Sequence, residues 1–186
     1  LNQAYKFKIA AGSSKTSSLM SSPIIVDGKV FALGSDAKIN AFNLKTKKRI
    51  WQKDISVKKE RKSEGFGGGI THDGGMIFST SGFGNVIALN ALNGDELWRL
   101  DLKIPIRAAP ISYDGIVFVI THDNQLFAID NKIGEVLWSH RGILETASVL
   151  SSNSVAVDSG LVFVPYSSGE IYAIRTLNGS SVWTDS

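Results

Sequence analysis

The stretch Asp114-Gly115-Ile116-Val117-Phe118-Val119-Ile120, continued by His122-Asp123-Asn124 and Leu126-Phe127-Ala128-Ile129-Asp130, decides the fold. Asp-Gly is a hairpin turn pair, because glycine enters positive φ without the clash that a Cβ brings. Ile116 to Ile120 is a run of β-branched and aromatic residues, the composition of a strand. A polar turn and a second strand follow, then a turn at Gly134 and a last strand carrying Trp138. No segment of the chain sustains a helical apolar period.

The same unit recurs four times. Trp51, Trp98, Trp138 and Trp183 are separated by 47, 40 and 45 residues. Twenty-three positions before each tryptophan stands Gly28, Gly75, Gly115 or Gly160, and twenty before stands Phe31, Phe78, Phe118 or Phe163. Ten before stands Ala41, Ala88, Ala128 or Ala173, and four before stands Lys47, Gly94, Gly134 or Gly179. Four short strands in roughly 45 residues, with one signature per unit, describe a blade of an all-β propeller. The expected blades are 21–66, 67–106, 107–152 and 153–186, preceded by an outer strand and linker over 1–20. The repeated Ala and Trp predict packing between neighbouring blades, a small residue opposite a large ring. Lys47 at a glycine position costs up to about 1 kcal/mol if its turn keeps positive φ. Ser21-Ser22-Pro23 and Ala108-Ala109-Pro110 mark innermost strands, with Gly68-Gly69-Ile70 and Asn153-Ser154-Val155 as looser copies. Tyr5 to Ile9 resembles the strand at Trp51 and reads as an outer strand without a blade of its own, of the kind that closes a ring.

Composition narrows the function. The chain has 186 residues, 43% of them hydrophobic and 20% charged, and no cysteine, which excludes disulfides, thiolate metal sites and a cysteine nucleophile. No apolar run approaches the roughly 20 residues of a spanning helix. The chain opens on Leu1 without a signal peptide, as a processed or trimmed chain does. A net charge of +3 conceals nine cations against two acids between Lys45 and Lys62. That stretch reads as a solvated turn and loop or as a contact with an anionic surface. It lacks the interleaved aromatics that base stacking requires, so nucleic acid is not an expected partner.

The alanine, glycine and tryptophan spacing resembles the tryptophan-docking repeat of quinoprotein-type propellers. Pro105-Ile106-Arg107-Ala108-Ala109-Pro110, Asp123-Asn124-Gln125-Leu126 and Tyr166-Ser167-Ser168-Gly169-Glu170-Ile171-Tyr172-Ala173 resemble the BamB family of outer-membrane assembly factors, especially its alphaproteobacterial branch. The resemblance implies an eight-bladed ring of which these four blades are the N-terminal half. It also implies a lipid-anchored periplasmic location, with the anchor segment absent from this chain, and a non-enzymatic scaffold role in the β-barrel assembly machinery. The implied partner is the periplasmic repeats of the central barrel subunit, with nascent outer-membrane proteins as a second. Ile104-Pro105-Ile106-Arg107 resembles the family's binding loop, in which aliphatic residues bracket a cation suited to carboxylates. The alternative is that both isoleucines pack between blades while Arg107 snorkels. The family's acidic pair falls on Leu150 and Ser152 here, and Glu145 is the nearest acid to take its place.

No cofactor is expected. His72, His122 and His140 occupy unrelated positions in their units, so no metal site is expected of them. The turn aspartates match no calcium loop, Gly65 to Gly69 lacks the helix and lysine of a phosphate cradle, and Asn178-Gly179-Ser180 is explained as a turn. A quinone-dependent dehydrogenase shares the repeat, but that family by resemblance carries a calcium-bound quinone and often a vicinal cysteine pair, and this chain has neither the cysteines nor an assembled acidic cluster in its sequence; a ligand-sensing propeller is a third reading. Four blades of a larger ring are expected to expose the faces of the first and last units and to self-associate through them.

Overall fold

The computed structural model describes residues 8–13, 21–56, 67–143 and 154–186. Among these residues sixteen strands form four separate antiparallel sheets, each meandering in chain order. Blade 1 holds β1 (Ile24–Val26), β2 (Lys29–Leu33), β3 (Lys38–Asn43) and β4 (Arg49–Asp54). Blade 2 holds β5 (Ile70–Asp73), β6 (Met76–Thr80), β7 (Asn85–Asn90) and β8 (Glu96–Asp101). Blade 3 holds β9 (Ile111–Tyr113), β10 (Ile116–Ile120), β11 (Gln125–Asp130) and β12 (Val136–Arg141). Blade 4 holds β13 (Ala156–Asp158), β14 (Leu161–Pro165), β15 (Ile171–Arg175) and β16 (Ser181–Asp185). The first turn of each blade keeps positive φ at Gly28, Gly75, Gly115 and Gly160.

The core lies between sheets. Along β6 and β7 alternate side chains leave on opposite faces: Ile77, Ile87 and Leu89 join Phe31, Ile39 and Trp51 of blade 1. Phe78, Val86 and Ala88 join Val117, Val119 and Ile129 of blade 3. Burial on both faces is why these strands read as unbroken apolar runs.

Three of the four tryptophans tie their blade to the next. Trp51 Nε1 donates to Ala91 O at 3.1 Å, Trp98 Nε1 to Asn131 O at 2.9 Å and Trp138 Nε1 to Thr176 O at 2.8 Å. The small residue across the blade boundary is glycine: a Cβ on Gly94, Gly134 or Gly179 would fall 2.6–2.8 Å from the indole of Trp51, Trp98 or Trp138. Ala41, Ala88, Ala128 and Ala173 instead face Trp51, Trp98, Trp138 and Trp183 across the register within one sheet, so the expected alanine–tryptophan packing between blades is corrected. The repeated phenylalanine completes the unit, with Phe–Trp ring centroids 5.9–6.1 Å apart in every blade. Lys47 occupies the glycine position of blade 1 at φ 59°.

Blade 4 leaves its far face open, with Trp183 45% exposed and Ile171 half-exposed where Ile39, Val86 and Leu126 of the other blades are buried. On blade 1, Val30 and Ala32 are buried, so the first face is not bare as expected. Ser35 bonds Ala11 O and Gly12 O, which lays the described N-terminal residues against this blade. Of Tyr5 to Ile9, residues 5–7 lie outside the described residues, and Lys8 and Ile9 carry no strand.

Polar contacts also cross the boundaries. Glu96 is held by Arg99 and faces Lys53 of blade 1 at 3.9 Å; the bonds from Arg99 keep its carboxyl below the usual range. Between blades 3 and 4, His140 Nδ1 meets Tyr166 Oη at 2.8 Å and its ring packs on Tyr172. Burial lowers the His140 pKa, against the opposing effect of Glu170. Protonation is therefore easier in the unfolded chain: the stability His140 contributes is complete above its ordinary value of about 6.5 and declines below it. Thermal midpoints of the wild type are expected to fall between about pH 6.5 and 5, above the carboxylate range. His140→Gln is expected to flatten that decline, and an unchanged slope in scanning calorimetry would assign it elsewhere.

Candidate partner-binding loop

The connection from β8 to β9 is held from both sides. Leu102 N donates to Gly84 O at 3.0 Å, and Lys103, at φ 57°, donates to Asp101 Oδ1 at 2.9 Å. Gly84 permits the crossing, since a Cβ there would stand 2.6 Å from Ile104 O. His122 N donates to Pro105 O at 2.9 Å, and Ile106 bridges to Thr121 of blade 3. Gly68 N donates to Arg107 O at 3.1 Å, and Thr80 Oγ1 donates to Ala108 O at 2.7 Å. Residues 102–108 are therefore a strap fastened to blades 2 and 3, with a shape set before any partner arrives.

The strap sorts its side chains by alternation. Pro105 is exposed, Ile104 and Arg107 are half-buried, and Ile106 is fully buried among Phe78, Trp98 and Val119. The expectation of two exposed aliphatics bracketing the cation is corrected for Ile106, whose side chain is core. Arg107 Nε is out of solvent, and the Arg107 stem lies over Gly67. Ile104 and Arg107 thus keep part of their exposure, on either side of the exposed Pro105. Glu145, Leu150 and Ser152 lie outside the described residues, so the acidic side of the expected contact has no placement.

The histidines are dispersed. His72 stacks on Phe31 with centroids 6.3 Å apart, His122 bonds the strap through its backbone, and His140 packs with Tyr166 and Tyr172. Among the described residues no group of three His, Cys, Asp or Glu is placed to hold a metal ion. A residue whose role sequence reading missed is Asn124. It is buried at φ 58°, donates to Ile143 O at 3.0 Å and accepts from Ser167 N and Oγ, pinning blade 3 to blade 4. In the sequence it stood in a polar turn and in a stretch that carries the family resemblance, neither of which shows a bond spanning 43 residues.

Four meanders, with the indoles of the first three blades each seated on the turn of the following blade, define a tryptophan-docking β-propeller. A family model described as outer membrane protein assembly factor BamB matches residues 35–186, and the chain belongs to that family. It is 33% identical over 168 residues to an uncharacterised protein of Rickettsia prowazekii, covering 90% of this chain and 40% of that one. It is 27% identical over 185 residues to the outer membrane protein assembly factor BamB of Nitrosomonas eutropha, covering 100% of this chain and 42% of that one. The chain thus spans about two fifths of the length of these relatives. The BamB structure from Moraxella catarrhalis superposes with a TM-score of 0.76 at 22% identity, over 88% of this chain and 48% of that one. A quinohemoprotein alcohol dehydrogenase from Comamonas testosteroni gives a TM-score of 0.74 at 18% identity, over 95% of this chain and 35% of that one, a likeness of fold.

Proposed function

We propose that this chain acts as a non-enzymatic scaffold of the outer-membrane β-barrel assembly machinery, in the periplasm at the outer membrane. In this reading it binds the periplasmic domains of the central barrel subunit through Ile104, Pro105 and Arg107. The observation that carries the reading is the doubly fastened strap, which presents a cation beside apolar surface at little ordering cost on binding. The outer edges of β4, β8, β12 and β16, unpaired among the described residues, are where nascent outer-membrane strands would add, and the open face of blade 4 is where a second copy would associate.

Arg107→Glu is expected to weaken binding to the barrel subunit's periplasmic domains by about 1–3 kcal/mol in calorimetry, with the fold retained. Unchanged affinity removes Arg107 from the interface. Ile106→Ala is expected to act on stability, since its side chain fills the space between blades 2 and 3.

A further inference from the structure

The hairpins impose a polarity on the propeller. In every blade the turn between the third and fourth strands lies beside the turn between the first and second: Leu44 N bonds Gly28 O, Ala91 N bonds Gly75 O, Asn131 N bonds Gly115 O and Thr176 N bonds Gly160 O. The strap sits at the opposite end, where Leu102 N bonds Gly84 O. Equivalent turns can therefore be compared on one face.

On that face blade 1 differs from the others. Its turn runs Lys45-Thr46-Lys47-Lys48-Arg49, every residue exposed, whereas the matching turn of blade 2 carries the acids Asp95 and Glu96 and that of blade 3 sets Glu135 against Lys132. Among the described residues Lys45, Lys48 and Arg49 form no ion pair, and Asp27 is the only acid on the neighbouring turn of that blade. The turn geometry does not demand these charges. Lys47 holds φ 59° where the other three blades place glycine, so a cation stands where the backbone disfavours a side chain. The same face carries protruding aliphatics at the other turn tips: Leu92, Ile133 and Leu177 are 69%, 60% and 80% exposed. Cations beside exposed aliphatic tips suit a bilayer interface, whereas base stacking would call for aromatics.

We propose that the blade 1 turn, Lys45 to Arg49, docks this face of the propeller on an anionic phospholipid surface. Asp95 and Glu135 repel that surface, so the ring meets it tilted onto blade 1. The strap at the opposite end stays free for a protein partner. The proposal draws the relevance of a membrane from the function proposed above, but its test does not depend on the barrel subunit.

The test is co-sedimentation with vesicles of phosphatidylethanolamine and phosphatidylglycerol, against vesicles in which phosphatidylcholine replaces the anionic lipid. The protein is expected to partition onto the anionic vesicles only, and less as salt is added. K45Q/K48Q/R49Q is expected to lower that partition roughly a hundred-fold, at about five-fold for each cation lost. Lys47→Gly separates charge from folding: the turn gains the residue its φ favours, so the unfolding midpoint should not drop while partition falls about five-fold. Equal partition onto both vesicle types, no partition at all, or full binding by the triple variant overturns the proposal. Arg107→Glu should leave vesicle binding intact and the triple variant should leave subunit binding intact, so this proposal and the scaffold reading fail separately.

Discussion

Trp98→Ala is expected to lower the unfolding free energy by about 3–5 kcal/mol. The indole is 9% exposed, lies between blades 2 and 3, and donates to Asn131 O at 2.9 Å. Truncation leaves a cavity walled by Phe78 and the turn at Gly134, and a carbonyl without its donor. Trp183, 45% exposed, makes none of the contacts across a blade boundary among the described residues, and its alanine variant should cost under about 1 kcal/mol. Urea unfolding of the two variants decides the matter. Equal losses would mean that docking on the next blade adds nothing to the tryptophan's own sheet contacts.

Gly134→Ala should cost about 2–4 kcal/mol. About 1 kcal/mol comes from placing an L-residue at φ 75°, and the rest from a Cβ that would stand 2.6 Å from Trp98 Cδ2 and so displaces the ring. Gly115→Ala is the matched control: its φ is 80° and nothing lies within 4 Å of the added carbon, so only the backbone cost of about 1 kcal/mol remains. In a Trp98→Ala background the cost of Gly134→Ala should shrink to that same value. A coupling of about 1–3 kcal/mol in this cycle is the signature of the glycine–indole seat. Additive effects would refute it.

The fold was legible because one physical unit was written four times. Phenylalanine, alanine and tryptophan recur where a single sheet needs them, and their register within a sheet follows from period-two alternation. The partner of each glycine was not legible. Spacing inside a unit does not say whether a contact is made within it or with its neighbour, and Gly134 sits nearer in sequence to Trp138 than to Trp98, on which it packs. The strap was legible as a loop but not in its exposure. Ile104 and Ile106 look equivalent in the sequence, and only the bridge from Ile106 to Thr121 turns one of them inward. Asn124 was hidden for the same reason, since its role depends on Ser167 in another blade.

The direction of docking has a consequence for how the chain acquires its structure as it is made. The indoles of Trp51, Trp98 and Trp138 reach forward, to a carbonyl 40, 33 or 38 residues later. A blade emerging in vectorial order can pair its own strands at once, but its tryptophan stays wet until most of its successor has appeared. Assembly then advances like a zipper with a lag of one tooth, each arrival sealing the one before it. Neighbour-coupled arrays of this kind propagate from whichever end is secured and fray from the end that is not. The slow-exchanging amides should therefore gather in blades 2 and 3, and blade 4 should be the first to open.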